Sequence, residues 1–353
     1  MVVISASAKD SASPFGKRLA ANDKKTRDKA VKSLSKWLST KGDFTEMELM
    51  KLWKGLFYCV WMSDKPVIQQ QLSDTLSSLI LRVPRQGVMP FIAAFWKIIC
   101  AEWNGIDRLR LDKFYFLLRC FVLYSFRMLK ENEWDLDTIE EYNNVMINGP
   151  LNATNPTVPD GIRFHLIEIY LQELEKTVDV AQSGEVPTAH ILKPMFHLLG
   201  NTVNRKVFKM VAEDVFENIL KKIAEGDAEE VDEDADLTVF DQDNEDDEDE
   251  DEDEDEAMED DEDEDDEDAT AEALALAEME ADDEEMLSPS TVFDYDLIGI
   301  KKNLLAAGGD KTIVESNRRK IYALYKAFDE FCPDEDDEEE EEEDEEGEDE
   351  DEE

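Results

Sequence analysis

The acidic residues of this 353-residue chain are concentrated in its C-terminal part, and this limits what that part can fold into. Residues 226–353 hold 63 Asp and Glu against 7 Lys and Arg, a net charge of -56, whereas residues 1–225 have a net charge of +3. Long runs of like charge repel one another and offer little apolar surface to bury. We therefore predict acidic disordered segments at 226–285 and 334–353, preceded by one sizeable folded domain.

Residues 14–225 carry apolar side chains at the three-to-four spacing of amphipathic helices. The segment 44–62 is the most aromatic, which predicts a central core helix, with Asp43 and Glu46 as a pair that caps its start. Further helices are predicted at 14–21, 23–39, 67–83, 89–103, 107–131, 135–147, 161–176, 188–199 and 203–224. The side chains predicted to be buried at the centre are Trp53, Trp61, Phe95, Phe114 and Phe121.

No segment alternates polar and apolar residues with period two, so the predicted fold class is all-α. A helical hairpin recurs at roughly the repeat length of about 40 residues that HEAT and armadillo proteins use. We predict an irregular HEAT/armadillo-like helical-hairpin solenoid over 14–225, after a disordered N-terminus at 1–13. Because the hairpins show no self-similarity in sequence, a compact globular helical domain is the alternative.

An apolar segment, residues 286–333, lies between the two acidic blocks and contains a predicted helix. Its second half, NRRKIYALYKAFDEF, places several large apolar side chains on one helical face. An apolar face between charged segments is typical of a docking element, either on its own domain or on another protein. The predicted partner-docking residues are Ile321, Leu324, Tyr325, Phe328 and Phe331.

The sequence carries no pattern that predicts catalysis. Its three histidines, His165, His190 and His197, do not lie at metal-ligand spacing, and no zinc-protease, nucleophile-elbow or phosphate-binding glycine motif occurs. The four cysteines are scattered without a C-x-x-C pair, which predicts reduced thiols of an intracellular protein. We therefore expect no catalytic residue, no metal, no cofactor and no small-molecule substrate.

The longest apolar stretch, residues 91–103, is interrupted by Lys97 and is too short to span a bilayer. The first ten residues lack the basic start and apolar run of a secretory signal. We therefore expect a soluble protein with no membrane partner.

A row of lysines marks the predicted helix at 23–39. Lys25, Lys29, Lys32 and Lys36 follow the i, i+4, i+7, i+11 pattern of one helical face, which we call the lysine row. A rigid row opposite a buried face can contact phosphates without disturbing the core, although an ordinary solvated face is the alternative. The predicted RNA-phosphate contacts are Lys17, Arg18, Lys24, Lys25, Arg27, Lys29, Lys32 and Lys36.

The acidic segments allow a second kind of function. They can be a solubilising tail, or a polyanion that competes with nucleic acid for basic proteins. The second possibility describes an acidic chaperone or transport adaptor for basic nuclear or ribosomal proteins.

Three stretches carry a family resemblance. They are FGKRLAANDKKTRDKAVKSLSKWL at 15–38, KLWKGLFYCVWMSDKPVIQQQL at 51–72 and FWKIICAEWNGIDRLRLDKFYFLLR at 95–119. Together they resemble the ribosomal RNA-processing protein 1 family, nucleolar factors of large-subunit assembly. The resemblance covers roughly residues 14–225, in order and at family-like spacing.

This resemblance implies a non-catalytic scaffold in the nucleus and nucleolus, on preribosomes of the large subunit (pre-60S particles). It implies a need for the protein in ribosome biogenesis and in processing the large-subunit rRNA. The implied partners are pre-rRNA, pre-60S assembly factors including Brix-domain proteins, and ribosomal proteins. No catalytic residue is implied.

Overall fold

A computed structural model describes Arg18 and residues 23–40, 44–227 and 293–332. These residues form helices joined by turns, and no strand occurs among them, so the predicted all-α class is confirmed. Of the segments predicted to be disordered, 1–13 and 334–353 lie outside the described residues, as does 226–285 except for its first two residues. Gly226 and Asp227 are helical, so the predicted start of the second segment was two residues too early. None of the described helices combines the length and the apolar character needed to cross a bilayer.

The helices are numbered here in chain order. The first six are α1 (Lys24–Thr40), α2 (Glu46–Trp61), α3 (Pro66–Ser77, extended by a 3-10 turn at Ser78–Arg82), α4 (Arg85–Glu102), α5 (Arg108–Glu131) and α6 (Leu136–Asn148). They are followed by α7 (Asp160–Glu175), α8 (Thr188–Ile191), α9 (Lys193–Asn201), α10 (Arg205–Met210), a π-helical stretch (Val211–Glu217) and α11 (Asn218–Asp227). The last two are α12 (Leu297–Gly309) and α13 (Glu315–Phe331).

The helices pack in two rows, because each helix from α2 to α7 contacts mainly its next-but-one neighbour in the chain. One row runs from α2 through α4 and α6 to α8 and α9, and the other from α3 through α5 and α7 to α10 and the π-helical stretch. This stacking in chain order agrees with the predicted helical-hairpin solenoid.

Polar contacts join neighbours within each row. Lys97 Nζ of α4 lies 2.5 Å from Glu46 Oε1 of α2. In the second row the Tyr124 hydroxyl of α5 donates to Asp74 Oδ1 of α3 at 2.7 Å. Arg119 of α5 then donates to Glu173 of α7 at 2.7 Å. Since Glu173 is buried, this last pair holds two elements together where solvent screens it least.

The centre of the core is an aromatic cluster around Trp53 of α2. Its ring lies 4.8 Å from both Phe91 and Phe95, and its indole N–H donates to the Phe91 carbonyl at 3.0 Å. Phe121 of α5 stacks on Phe95. Trp53, Phe95, Phe114 and Phe121 are all buried, so these four predictions are confirmed.

The start and the end of α2 differ from the predictions. Thr45 caps the helix instead of Asp43: the Glu48 amide donates to Thr45 Oγ1, and the Thr45 amide donates to Glu48 Oε2 at 2.9 Å. Trp61 is only half-buried, so the prediction of burial was wrong for this residue. Trp61 is the last residue of α2, so its ring stands at the end of the helix. There the Arg110 guanidinium covers only one face of the ring, 5.1 Å from its centroid, and the ring stays half-exposed.

The apolar segment packs on its own chain, which settles the alternative that the sequence left open. Residues 293–332, here called the C-terminal hairpin, contact α8, α9 and the π-helical stretch. Phe328 is fully buried with its ring 6.4 Å from Phe216, and Asn317 Nδ2 donates to the carbonyls of Leu199 and Thr202 at 2.9 and 2.8 Å.

One glycine allows this close approach. A Cβ at Gly200 of α9 would lie 3.0 Å from Ile313 Cγ2, and the Gly200 carbonyl accepts from the Val314 amide at 3.0 Å. A larger residue at this position would require the Ile313 side chain to move.

Candidate nucleic-acid interface

The lysine row lies on α1, whose start is fixed by Asp23. The Asp23 carboxylate accepts from the hydroxyl and the amide of Thr26, at 2.6 and 2.9 Å. These hydrogen bonds hold the pKa of Asp23 below its usual value, so the group stays ionised at the positive end of the helix dipole. The start of α1 is therefore fixed in its first turn.

The opposite face of α1 is fixed by packing. Ala30, Val31, Leu34 and Leu38 are buried, and α1 rests on the 3-10 turn at Ser78–Arg82. The Trp37 ring meets the edge of Phe44 at 5.2 Å. Burial of one face leaves α1 little freedom to rotate about its axis.

Lys25, Lys29, Lys32 and Lys36 are all exposed. At a rise of about 1.5 Å per residue the row is about 16 Å long. No ion pair joins any of the four ammonium groups to another described residue. The row therefore presents four charges to solvent from a helix held firmly by its other face.

The remaining predicted phosphate contacts have different positions. Arg18 is exposed, Lys17 lies outside the described residues, and Lys24 begins α1 with a side chain that is not described. Arg27 is buried, with 7% of its surface exposed, so its prediction as a surface contact was wrong. It lies on the face that carries Ala30 and Leu34, where its charge opposes the rise of the Cys59 pKa to about 12 that burial causes.

A groove next to the lysine row was not predicted from the sequence. It has a volume of about 230 Å³ and lies between α1 and α3. The main contact of α1 is with the 3-10 turn that follows α3. Its lining residues are Arg27, Asp28, Val31 and Lys32 from α1, Ser63, and Ile68, Gln71, Leu72 and Thr75 from α3. The helical spacing of Ile68 and Leu72 within the helix predicted at 67–83 favours burial of both side chains, yet the structure leaves them half-buried.

The predicted partner-docking residues are largely occupied within the chain. Ile321, Leu324 and Phe328 are fully buried against the rest of the chain, and Tyr325 is half-buried. Phe331 retains 36% exposure. Only the last two remain partly accessible, so the face as a whole is an internal contact.

Two of the three histidines, His165 and His197, are half-buried packing residues, and His190 is exposed. His165 Nε2 lies 3.1 Å from the Tyr115 carbonyl, and burial lowers the pKa of both His165 and His197. Within the described ranges no group of His, Cys, Asp and Glu is placed to hold a metal ion.

Comparison with known proteins now identifies the family. The Nop52 family, described as nucleolar, matches residues 10–324 of the chain. The chain belongs to the Nop52 family of nucleolar proteins. This agrees with the resemblance noted in the sequence.

The chain is 38% identical over 241 residues to human ribosomal RNA processing protein 1 homolog B, covering 62% of this chain and 32% of that protein. It is 36% identical over 214 residues to the human homolog A, covering 59% and 46% of the two chains. The Caenorhabditis elegans homolog is 32% identical over 213 residues, with 59% and 53% covered. The matched part therefore spans about a third to a half of these relatives.

Proposed function

We propose that this Nop52-family protein is a non-catalytic scaffold of nucleolar pre-60S particles that acts in large-subunit rRNA processing. In this proposal the lysine row holds pre-rRNA, and other surfaces of the two helical rows meet assembly factors, including Brix-domain proteins, and ribosomal proteins. The observation that carries it is the lysine row itself: four exposed ammonium groups on a helix whose opposite face is buried. The printed names of the relatives, which are rRNA processing proteins, support the process.

The row suits phosphate contact of a particular kind. Lysine ammonium groups are point charges that neutralise phosphates and release counterions, without reading the bases. Four such contacts to single-stranded RNA give a salt dependence of about three in the logarithmic slope. A scaffold needs this kind of contact, because it must hold an RNA in place without altering it.

The test replaces Lys25, Lys29, Lys32 and Lys36 together by Ala. Because the four side chains are exposed and Ala favours helix, we expect the fold to persist. Cross-linking to rRNA in purified particles should fall, and the salt slope for RNA binding should flatten by about three.

A matched control changes four other exposed basic residues, Lys302, Lys311, Arg319 and Lys326, to Ala. This variant has the same net charge as the first, so a general loss of electrostatic attraction would affect both. If the first variant cross-links to rRNA as well as the parent does, the lysine row is a solvated face and the proposal is wrong.

The acidic segments favour one alternative, an acidic chaperone or transport adaptor for basic proteins. Replacing the Asp and Glu residues of 228–291 and 334–353 by Asn and Gln separates the two functions. A chaperone would lose its basic cargo, whereas the scaffold would still join its particle through residues 24–227.

A further inference from the structure

We propose that the groove between α1 and α3 receives one base of a single-stranded RNA whose phosphates lie on the lysine row. This inference rests on the proposed function, because it assigns the chemical class of the ligand at the same surface. It adds a site that reads a base to a row that contacts only phosphates.

The groove and the lysine row share a wall. Lys32 belongs to the row and also lines the groove, whereas the other lining residues of α1, Asp28, Val31 and Arg27, lead from the row round to its buried face. A strand lying along the ammonium groups therefore has its bases within reach of the groove. Exposed positive charge at the groove's edge also matches the charge of an RNA backbone.

The lining suits a base. Val31, Ile68 and Leu72 supply apolar surface for the two faces of a planar ring. Ser63 is 2% exposed, and its hydroxyl, like those of Ser73 and Ser77 on α3, has no hydrogen-bond partner among the described residues. Of these three serines, only Ser63 lines the groove. Gln71 adds an amide at the groove's lining. Both polar groups can donate and accept, as the edge of a base requires.

The size of the groove limits what can enter. Its volume of about 230 Å³ is below the roughly 300–1,000 Å³ of pockets that enclose drug-sized ligands. One splayed base fits this limit better than a folded oligonucleotide segment. Bases in a duplex are paired and stacked, so they cannot enter, whereas those of a single strand can be turned outward.

The proposal therefore predicts a preference for single-stranded over duplex RNA. The probes are a single-stranded RNA of about 12 nucleotides carrying one 4-thiouridine, and a duplex of the same strand. Binding to the full chain is measured by fluorescence anisotropy at several salt concentrations. Photo-cross-links from the thiouridine are mapped by mass spectrometry and should fall on residues 63–75.

Two substitutions test the groove itself. Ser63→Ala removes the unpartnered hydroxyl, so folding should not suffer, and single-strand affinity should fall about two- to tenfold. Leu72→Trp fills the groove from α3 and should reduce single-strand affinity to that of the duplex. Neither change touches the ammonium groups, so duplex affinity and its salt slope should stay at parent values.

Ser77→Ala is the matched control, since Ser77 of α3 also has a buried hydroxyl without a described partner but does not line the groove. It should bind both RNAs as the parent does. If Ser63→Ala, folded by circular dichroism, also binds both RNAs as the parent does, the inference is overturned even where Leu72→Trp fails to fold.

The remaining outcomes separate this inference from the proposed function. If the four-lysine variant loses both RNAs while the parent binds single strand and duplex equally, the lysine row stands and the groove inference fails. If the four-lysine variant binds both RNAs normally, the proposed function fails. If a polyglutamate peptide protects the groove from the cross-link and Leu72→Trp abolishes binding of that peptide alone, the groove takes an acidic peptide and the inference is overturned.

Discussion

Trp53 and Trp61 lie eight residues apart on α2. Because their surroundings differ, we expect them to contribute differently to the free energy of unfolding. Trp53 is buried among three phenylalanine rings with its N–H bonded, so Trp53→Ala should lower the free energy of unfolding by about 3–5 kcal/mol. Trp61 is half-buried at the helix end, and Trp61→Ala should cost about 1 kcal/mol. Urea denaturation of both variants measures this. Equal costs would contradict the burial that the structure assigns to them.

The two residues also show which buried side chains can be predicted from the sequence. Periodicity correctly placed Trp53 inside, because helical spacing fixes which face a residue occupies. It could not place Trp61, since burial at a helix end depends on what the neighbouring element brings, here Arg110 of α5. The same limit applies to Arg27, whose charge suggested the surface while its place beside Leu34 took it inward.

Two half-buried histidines should make stability depend on pH. Burial lowers the pKa of His165 and His197 relative to the unfolded chain, where it is near 6.5. The unfolded state therefore binds more protons as pH falls through this range, and the folded state loses stability. Between pH 7 and pH 5 the free energy of unfolding should fall less for a His165→Gln, His197→Gln variant than for the parent. An unchanged pH dependence in urea titrations would refute this.

At the scale of elements, one side chain of α7 organises the loop that precedes it. Arg163 is buried, and its guanidinium donates to the carbonyls of Asn152, Asn155 and Val158 at 2.7–3.0 Å. Pro150, Pro156 and Pro159 favour a loop between α6 and α7, but no local pattern indicates which residue donates to its carbonyls. The identity of this donor depends on contacts between α7 and the loop, so it can be read only from the folded structure.

Arg163→Lys tests this arrangement. Lysine keeps the charge but lacks the planar fork of donors, so some of these carbonyls would lose their partner. We expect the free energy of unfolding to fall by about 2 kcal/mol or more. Hydrogen exchange should rise first in residues 149–159. Parent-like stability and exchange would show that the loop holds its conformation without the guanidinium.

At the scale of the whole molecule, the all-α fold class was predictable from the sequence, but which helices pack against one another was not. Three-to-four periodicity depends on each segment alone, so it gave the all-α class and the approximate helix bounds. The two rows depend on pairs such as Tyr124 with Asp74, fifty residues apart, which no periodicity reports. For the same reason the apolar face of α13 was recognised, while its partner, the surface around Phe216 and Gly200, was not.

This partnership leads to a prediction about truncation. A chain ending at Glu225 lacks the C-terminal hairpin, including the buried side chains of Ile300, Leu304, Ile321, Leu324 and Phe328. Each fully buried side chain of this kind contributes about 1.5–3 kcal/mol, and the surface around Phe216 would be left exposed. We expect the Tm to fall by about 10 °C or more and a fluorescent hydrophobic dye to bind.

The control is a chain ending at Pro333, which removes only the last acidic block and keeps every described contact of the hairpin. Its Tm should match that of the parent, although it also loses many negative charges. A charge effect would shift both truncated chains, whereas packing shifts only the shorter one. If the chain ending at Glu225 melts with the parent and binds no dye, the hairpin does not stabilise the two rows. Its apolar face would then be available to another protein.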